Sequence, residues 1–227
     1  MKKICSRIIL LSLVVSIGLV MGSSAFAAEK GKYVKQAEAL KLLGLFNGTN
    51  AGFELERSPN RVEVAAMLVK FLGAEEEAKA KMYAHPFTDV PAWADSFVGY
   101  LYEMKMTNGV SSNQFGSSKV ANLKDFTVFL LKALGYGASD FDYDQTLGFA
   151  VSKGLFTPAE RAKLESTTFK RDVMVYLSYK SLLTKVKGGN QTLSTKLGKP
   201  AGTNASIISK SGMTNNYLIL TETEAQK

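Results

Sequence analysis

Apolar residues recur along this chain at helical spacing, in short bursts separated by turns that contain glycine and asparagine. From Lys32 to Leu43 the apolar or small positions are Tyr33, Ala37, Leu40 and Leu43, steps of four, three and three that line one face of a helix. Asn47-Gly48 ends that segment, because glycine readily takes the left-handed conformation that closes a helix. The polar stretch from Asn50 to Pro59 predicts a loop with Phe53 as its plug into a core. Ser58-Pro59-Asn60 then supplies a cap and a stiff entry to a second helix with Val64, Met67, Leu68 and Phe71 on its apolar face. The same order returns in Phe97-Val98-Gly99-Tyr100-Leu101-Tyr102, Asn108-Gly109, a loop closing on Phe115-Gly116, and a helix ending Leu131-Lys132-Ala133-Leu134-Gly135.

The recurrence has a fixed period at both ends of the unit. Gly48 and Gly109 lie 61 residues apart, and Gly73 and Gly135 lie 62 apart. Downstream, Phe141-Asp142 loosely echoes Phe87 and Asp89, Lys153-Gly154-Leu155-Phe156-Thr157 echoes the end of a first helix, and Phe169 to Leu183 reads as another second helix. A helix-loop-helix unit of this size buries little alone, so three copies predict one shared core. Between the first two, Glu75-Glu76-Glu77-Ala78-Lys79-Ala80-Lys81 places acids four residues ahead of lysines, as in a solvated helical connector.

Phe87-Thr88-Asp89-Val90 followed by Trp93-Ala94, a helix ending in Asn108-Gly109, a loop ending Phe115-Gly116, and a helix entered through Asn60-Arg61-Val62-Glu63 resemble the S-layer homology (SLH) domain over roughly residues 33 to 185. That family consists of modules by which Gram-positive surface proteins attach to the cell wall. The resemblance implies a mainly all-α fold of three divergent tandem units in a pseudo-threefold, three-pronged assembly. The expected division is a signal peptide at 1–27, units at 28–74, 75–136 and 137–186, and a linker with an irregular or β-hairpin C-terminal arm at 187–227.

Composition agrees with a globular chain: 46% hydrophobic and 21% charged residues over 227 positions. The N-terminus predicts export. Lys2, Lys3 and Arg7 precede an apolar run from Ile8 to Met21, and Ala25 and Ala27 stand at the spacing signal peptidase reads. The run is shorter than the roughly 20 residues of a membrane span, so no span is expected after cleavage. Cys5, the single cysteine, is lost with the leader, leaving no disulfide and no thiol chemistry. The formal charge of +8 then falls to +5 with the loss of those three cations, which favours an anionic partner, and export argues against nucleic acid.

Candidate chemistry is that of binding. His85 stands without a second histidine, and no acidic pair is placed by a motif, so no catalytic residue, cofactor or metal is expected. Asp140, Asp142 and Asp144 alternate like a calcium loop, but Gln145 and Val151 occupy the glycine and glutamate positions that loop needs. An arginine at a helix start can hold a carboxylate with its planar fork, helix termini and glycine turns add N–H donors, and an aromatic such as Trp93 can lie against a sugar ring.

The resemblance implies grooves between the prongs that bind an anionic secondary cell wall polysaccharide, often through a pyruvylated sugar. The family's helix-entry motif, Thr-Arg-Ala-Glu, corresponds to Asn60-Arg61-Val62-Glu63. In the second unit it becomes Asn122-Leu123-Lys124-Asp125, which loses the arginine but keeps a charge at Lys124. Anchoring on Leu177-Ser178-Tyr179 places Arg171 at the arginine position of the third. The expected binding residues are Arg61, Glu63, Gly48, Asp89, Trp93, Asn108, Gly109, Lys124, Asp142 and Arg171. Trp93 suits a core position as well as a sugar platform, Arg61 suits a surface ion pair as well as a ligand contact, and Glu63 suits a cap that orients Arg61. The expected function is non-catalytic anchoring at the cell wall or surface layer. The alternative is a structural surface protein whose repeats contact other surface-layer proteins.

Overall fold

The structure, a computed structural model, describes residues 31–198. The expected leader and the expected hairpin beyond Pro200 lie outside the described residues.

Nine α-helices form within them: α1 Val34–Leu42, α2 Arg61–Phe71, α3 Glu75–Lys81, α4 Asp95–Glu103, α5 Leu123–Ala133, α6 Thr146–Ser152, α7 Pro158–Glu165, α8 Arg171–Leu183 and α9 Leu193–Lys196. Short 3-10 turns at Ala92–Ala94 and Tyr143–Gln145 lead into α4 and α6. The described residues contain only isolated β-bridges and no strand, so the fold is all-α.

The helices pair in a ring. α4 lies on α2, α6 lies on α5, and α1 lies on α8, while α5 touches both α2 and α8. Each first helix of a sequence pair therefore rests on the second helix of the pair before it, and α1 closes the circle. Tyr33 stacks on Tyr176 at 4.6 Å between ring centroids at that closure.

Periodicity gives α2 one apolar face, yet Val62, Val64, Ala65, Ala66, Met67, Leu68, Val69 and Phe71 are all buried. The reason is its central place: α3, α4 and α5 all cover it. α8 meets it from another side, with the buried Ser178 hydroxyl 3.6 Å from the Met67 sulfur. Phe53 packs onto the core and stacks with Phe46 at 5.6 Å, the plug its place in the loop predicts. α3 buries only Ala78, as suits a connector whose other side chains are solvated.

Two features differ from the hydrophobic pattern. α7 is a helix that the pattern left out, although its capping box was in plain view: Thr157 accepts from the Glu160 N–H, Glu160 accepts from the Thr157 N–H, and Pro158 fills the first turn. The segment read as a loose linker after Thr184 is folded as far as Gly198. Lys185 bridges Thr192, the Lys187 N–H donates to the Leu134 carbonyl at 2.8 Å, and Leu193 is fully buried against α8. Three apolar side chains, Val186, Leu193 and Leu197, draw this lysine- and glycine-rich stretch onto the helix ends.

Glu160 ties α7 to α8. Burial works against its charge, but Lys180 at 2.7 Å, the Thr157 N–H and the Tyr176 hydroxyl hold its carboxyl down to about 2, from an ordinary 4.5. Because the folded value is depressed, its contribution is complete above about pH 4.5 and is lost as pH falls toward about 2. Glu160→Gln should lower stability at pH 7 by about 1–2 kcal/mol after allowance for solvent screening. In urea titrations the gap to the parent protein should close between those two pH values; a gap that stays constant would mean that packing, not charge, carries the effect.

Candidate functional site

The starts of α2 and α8 are docked in the same way. A helix leaves its first N–H groups without internal partners, and here another unit's loop supplies carbonyls for them. The Arg61 N–H donates to the Lys119 carbonyl at 2.8 Å and the Val62 N–H to Ser117 at 3.3 Å; the Arg61 Nε donates to Phe115 at 3.0 Å. For α8 the Arg171 N–H donates to Arg57 at 2.9 Å and the Asp172 N–H to Leu55 at 3.0 Å; the Arg171 Nε donates to Phe53 at 2.9 Å. The acceptors 53, 55 and 57 recur at 115, 117 and 119, a constant shift of 62. Both guanidinium groups also lie 4.8 Å from a phenylalanine ring, Phe115 for Arg61 and Phe46 for Arg171. This equivalence fixes the register: Arg61, Leu123 and Arg171 are the first residues of α2, α5 and α8.

Both arginines are thus heavily engaged with the protein. Arg171 is 2% exposed, and its Nη1 donates to Glu63 at 2.7 Å. Arg61 is half-buried and its Nη2 reaches the Thr107 hydroxyl at 3.3 Å. Glu63 receives Arg171 and both ends of the Arg57 fork, at 2.5 and 2.9 Å, and its Oε2 accepts from the Asn60 N–H at 2.9 Å. Burial opposes its charge, and these partners hold its carboxyl below the usual range.

Asp89 organises the loop that receives Arg61. Its carboxylate accepts from the N–H groups of Phe115, Gly116 and Ser117 at 2.7, 2.8 and 2.9 Å. Burial pushes its carboxyl up, but the three donors win and hold it below the ordinary aspartate value. Gly48 and Gly109 sit at φ +71° and +73° in matching turns, and a Cβ would lie 2.7 Å from the Gly52 carbonyl oxygen at the first and 2.4 Å from the Gln114 oxygen at the second. Asn108 is exposed beside its glycine. Lys124 lies 3.3 Å from Asp144 and above the Tyr143 ring. Asp142 is exposed at the start of a 3-10 turn, whereas Asp140 holds the place of Asp89, each six residues before its helix at Thr146 and Asp95.

Four of the ten expected residues share one groove. Gly48, Glu63, Trp93 and Arg171 line a cleft of about 560 Å³ that runs beside α2, with Lys70 and Lys79 on its wall. Trp93 is 56% exposed, so it is a rim aromatic and not a core one. Glu75 pairs with both lysines, at 2.8 Å from Lys79 and 3.6 Å from Lys70. Arg61, Asp89, Asn108, Gly109, Lys124 and Asp142 do not line it. Pattern reading missed Lys70, which carries no motif, and Lys79, which looked like connector charge. Arg57 was missed as well, though it stands 62 residues before Lys119 in the repeated loop.

No family model matches the chain. Two curated relatives are similar to it. It is 25% identical over 154 residues to the middle cell wall protein of Brevibacillus brevis, covering 61% of this chain and 14% of that protein. It is 26% identical over 152 residues to the surface layer protein of Brevibacillus choshinensis, covering 61% of this chain and 13% of the relative. The chain spans only a small part of the length of either.

Glu63→Ala should cost about 2–4 kcal/mol, because the buried Arg171 loses its charge partner and Asn60 its reciprocal cap, while the more exposed Arg57 adds little. Asp89→Ala should cost about 2–3 kcal/mol by stranding three N–H donors. Asn108→Ala, at an exposed position, should stay within about 0.5 kcal/mol. Urea denaturation of the three variants orders them; a Glu63 variant as stable as the Asn108 variant would remove Glu63 from the framework.

Proposed function

We propose that this chain is a non-catalytic cell-surface protein built on three divergent SLH-like units, and that it holds an anionic wall polysaccharide in the groove beside α2. The names of the two relatives supply the cellular setting. The observation that carries the binding role is the groove itself: about 560 Å³, with an exposed indole at one rim and Lys70, Lys79 and Arg171 along its wall.

In this reading Trp93 lies under the apolar face of a sugar, and the turn at Asn47-Gly48-Thr49, which closes on the Gly52 carbonyl because Gly48 has no side chain, forms part of the groove wall. Glu63 is neutralised by Arg57 and Arg171. The remaining negative charge is Glu75, which occupies both lysines. A ligand carboxylate competes with Glu75 for those ammonium groups, so the open groove carries its own competing acid. The burial of Arg61 and Arg171 also supports a second reading, in which the repeats serve contacts with other surface proteins.

Co-sedimentation of the purified protein with wall sacculi separates the two. Binding should disappear after acid extraction of the secondary polymer. Trp93→Ala should weaken it about tenfold, the loss of one contact of about 1.4 kcal/mol. Glu75→Gln, which releases Lys79 while Lys70 keeps its bond to the Gly44 carbonyl, should tighten it severalfold. Binding that survives extraction and ignores both substitutions would favour protein contacts and overturn the glycan reading.

A further inference from the structure

A second basin, separate from the groove beside α2, lies where the chain leaves α8. It has a volume of about 470 Å³ and is lined by Tyr136 and Lys153 on one side and by Lys185, Gly188, Gly189 and Asn190 on the other. Its lining contains no carboxylate. The nearest acid along this segment's contacts is Asp140, which is already matched by the Lys187 ammonium at 2.5 Å and by the Gly137 N–H at 2.7 Å.

The basin is shaped by a tight turn. Lys185 bridges Thr192 and the Val186 N–H donates to the Gln191 carbonyl at 3.1 Å, which forces residues 187–190 to reverse direction. Gly188 makes this possible at φ +72°, and nothing lies within 4 Å of where its Cβ would stand. The Gly189 N–H bonds back to Val186 at 3.3 Å, while the N–H groups of Gly188 and Asn190 donate no hydrogen bond among the described residues. Lys153 is held over the rings of Phe149 and Tyr136, at 4.8 and 5.6 Å, and Lys187 over Tyr136 at 6.0 Å. Two lysines, Lys153 and Lys185, a side-chain amide and two backbone N–H groups that donate to nothing among the described residues therefore border a space with no carboxylate in its lining, while Lys187 is committed to Asp140. Exposed lysines beside a turn that presents backbone N–H groups form a concavity suited to an anion.

We propose that this basin is a phosphate-type oxyanion site, built from Lys153, Lys185 and the Gly188–Asn190 turn. Compact tetrahedral oxygens suit it, because the donors approach from two sides and the lysines act as point charges where a planar carboxylate would ask for an arginine fork. The oxyanion comes either as free phosphate or as a phosphodiester in a polymer, and the site's chemistry is the same for both.

Inorganic phosphate is the first probe, added to the full-length protein at constant ionic strength set with chloride, and read by amide chemical shifts. The Gly188, Gly189 and Asn190 signals should move and saturate at millimolar phosphate, and weaken as salt is raised. The double variant Lys153→Gln/Lys185→Gln should lose the response at least tenfold with its other amide signals in place, whereas Trp93→Ala should keep it. A glycerol phosphodiester in a parallel titration separates the two sources: tighter binding than phosphate indicates a polymer, weaker binding indicates the free ion. No movement of the three turn amides at about 20 mM phosphate, or an undiminished response in the double variant, would overturn the proposal. Because the groove variant is scored separately, loss of this site and loss of the glycan reading are distinguishable.

Discussion

The structure depends on what happens to the first N–H groups of its long helices. Such groups cost free energy if they are buried without acceptors. In α2 and α8 they are not satisfied by side-chain caps alone: the loops at 115–119 and 53–57 turn carbonyls toward them, and an arginine side chain adds one more bond to each loop. One interaction thus orders a loop, caps a helix and joins two units. Asp89 shows how closely the loop is controlled, since it holds three consecutive N–H groups so that the opposite carbonyls face α2.

The joints are not equivalent. Leu123 stands where Arg61 and Arg171 stand, and the third loop is replaced by α7, so α5 meets its neighbour through side chains: Tyr143 to Asp125 at 2.7 Å and Lys124 to Asp144 at 3.3 Å. The joint with α8 is the most charged, with Arg57, Arg171 and Glu63 in one partly buried cluster. This distribution explains why only some of the expected binding residues share a groove. Where the arginine is spent on a loop carbonyl and a partly buried glutamate, the positive charge left to the groove falls to Lys70, which is half-buried, and to the exposed Lys79.

The helical character, the two long repeats and their caps were legible because they depend on spacing and on local chemistry. Asn60 with Glu63 and the offsets of 61 and 62 residues announce themselves. What stayed hidden depends on partners distant in sequence. The acceptors of Arg61 and Arg171 are main-chain carbonyls, which leave no trace in residue identity. α5 and α8 begin only 48 residues apart, at 123 and 171, so the offset of the earlier helices could not place the residues between them. Lys79 reads as connector charge until α3 is placed beside α2. The folded stretch from Lys185 to Gly198 was obscured by its composition, since three apolar residues among lysines and glycines become informative only when a surface is there to receive them.

The stacking of Tyr33 on Tyr176 has a temporal side. α1 precedes by about 130 residues the helix it rests on, so its apolar residues Ala37 and Leu40 lack that cover until residues 171–183 have been made. A contact between helices so distant in sequence folds under a long-range constraint, which slows its formation and leaves an apolar edge open in the meantime. The order of synthesis therefore leaves α1 in need of protection until α8 arrives to cover it.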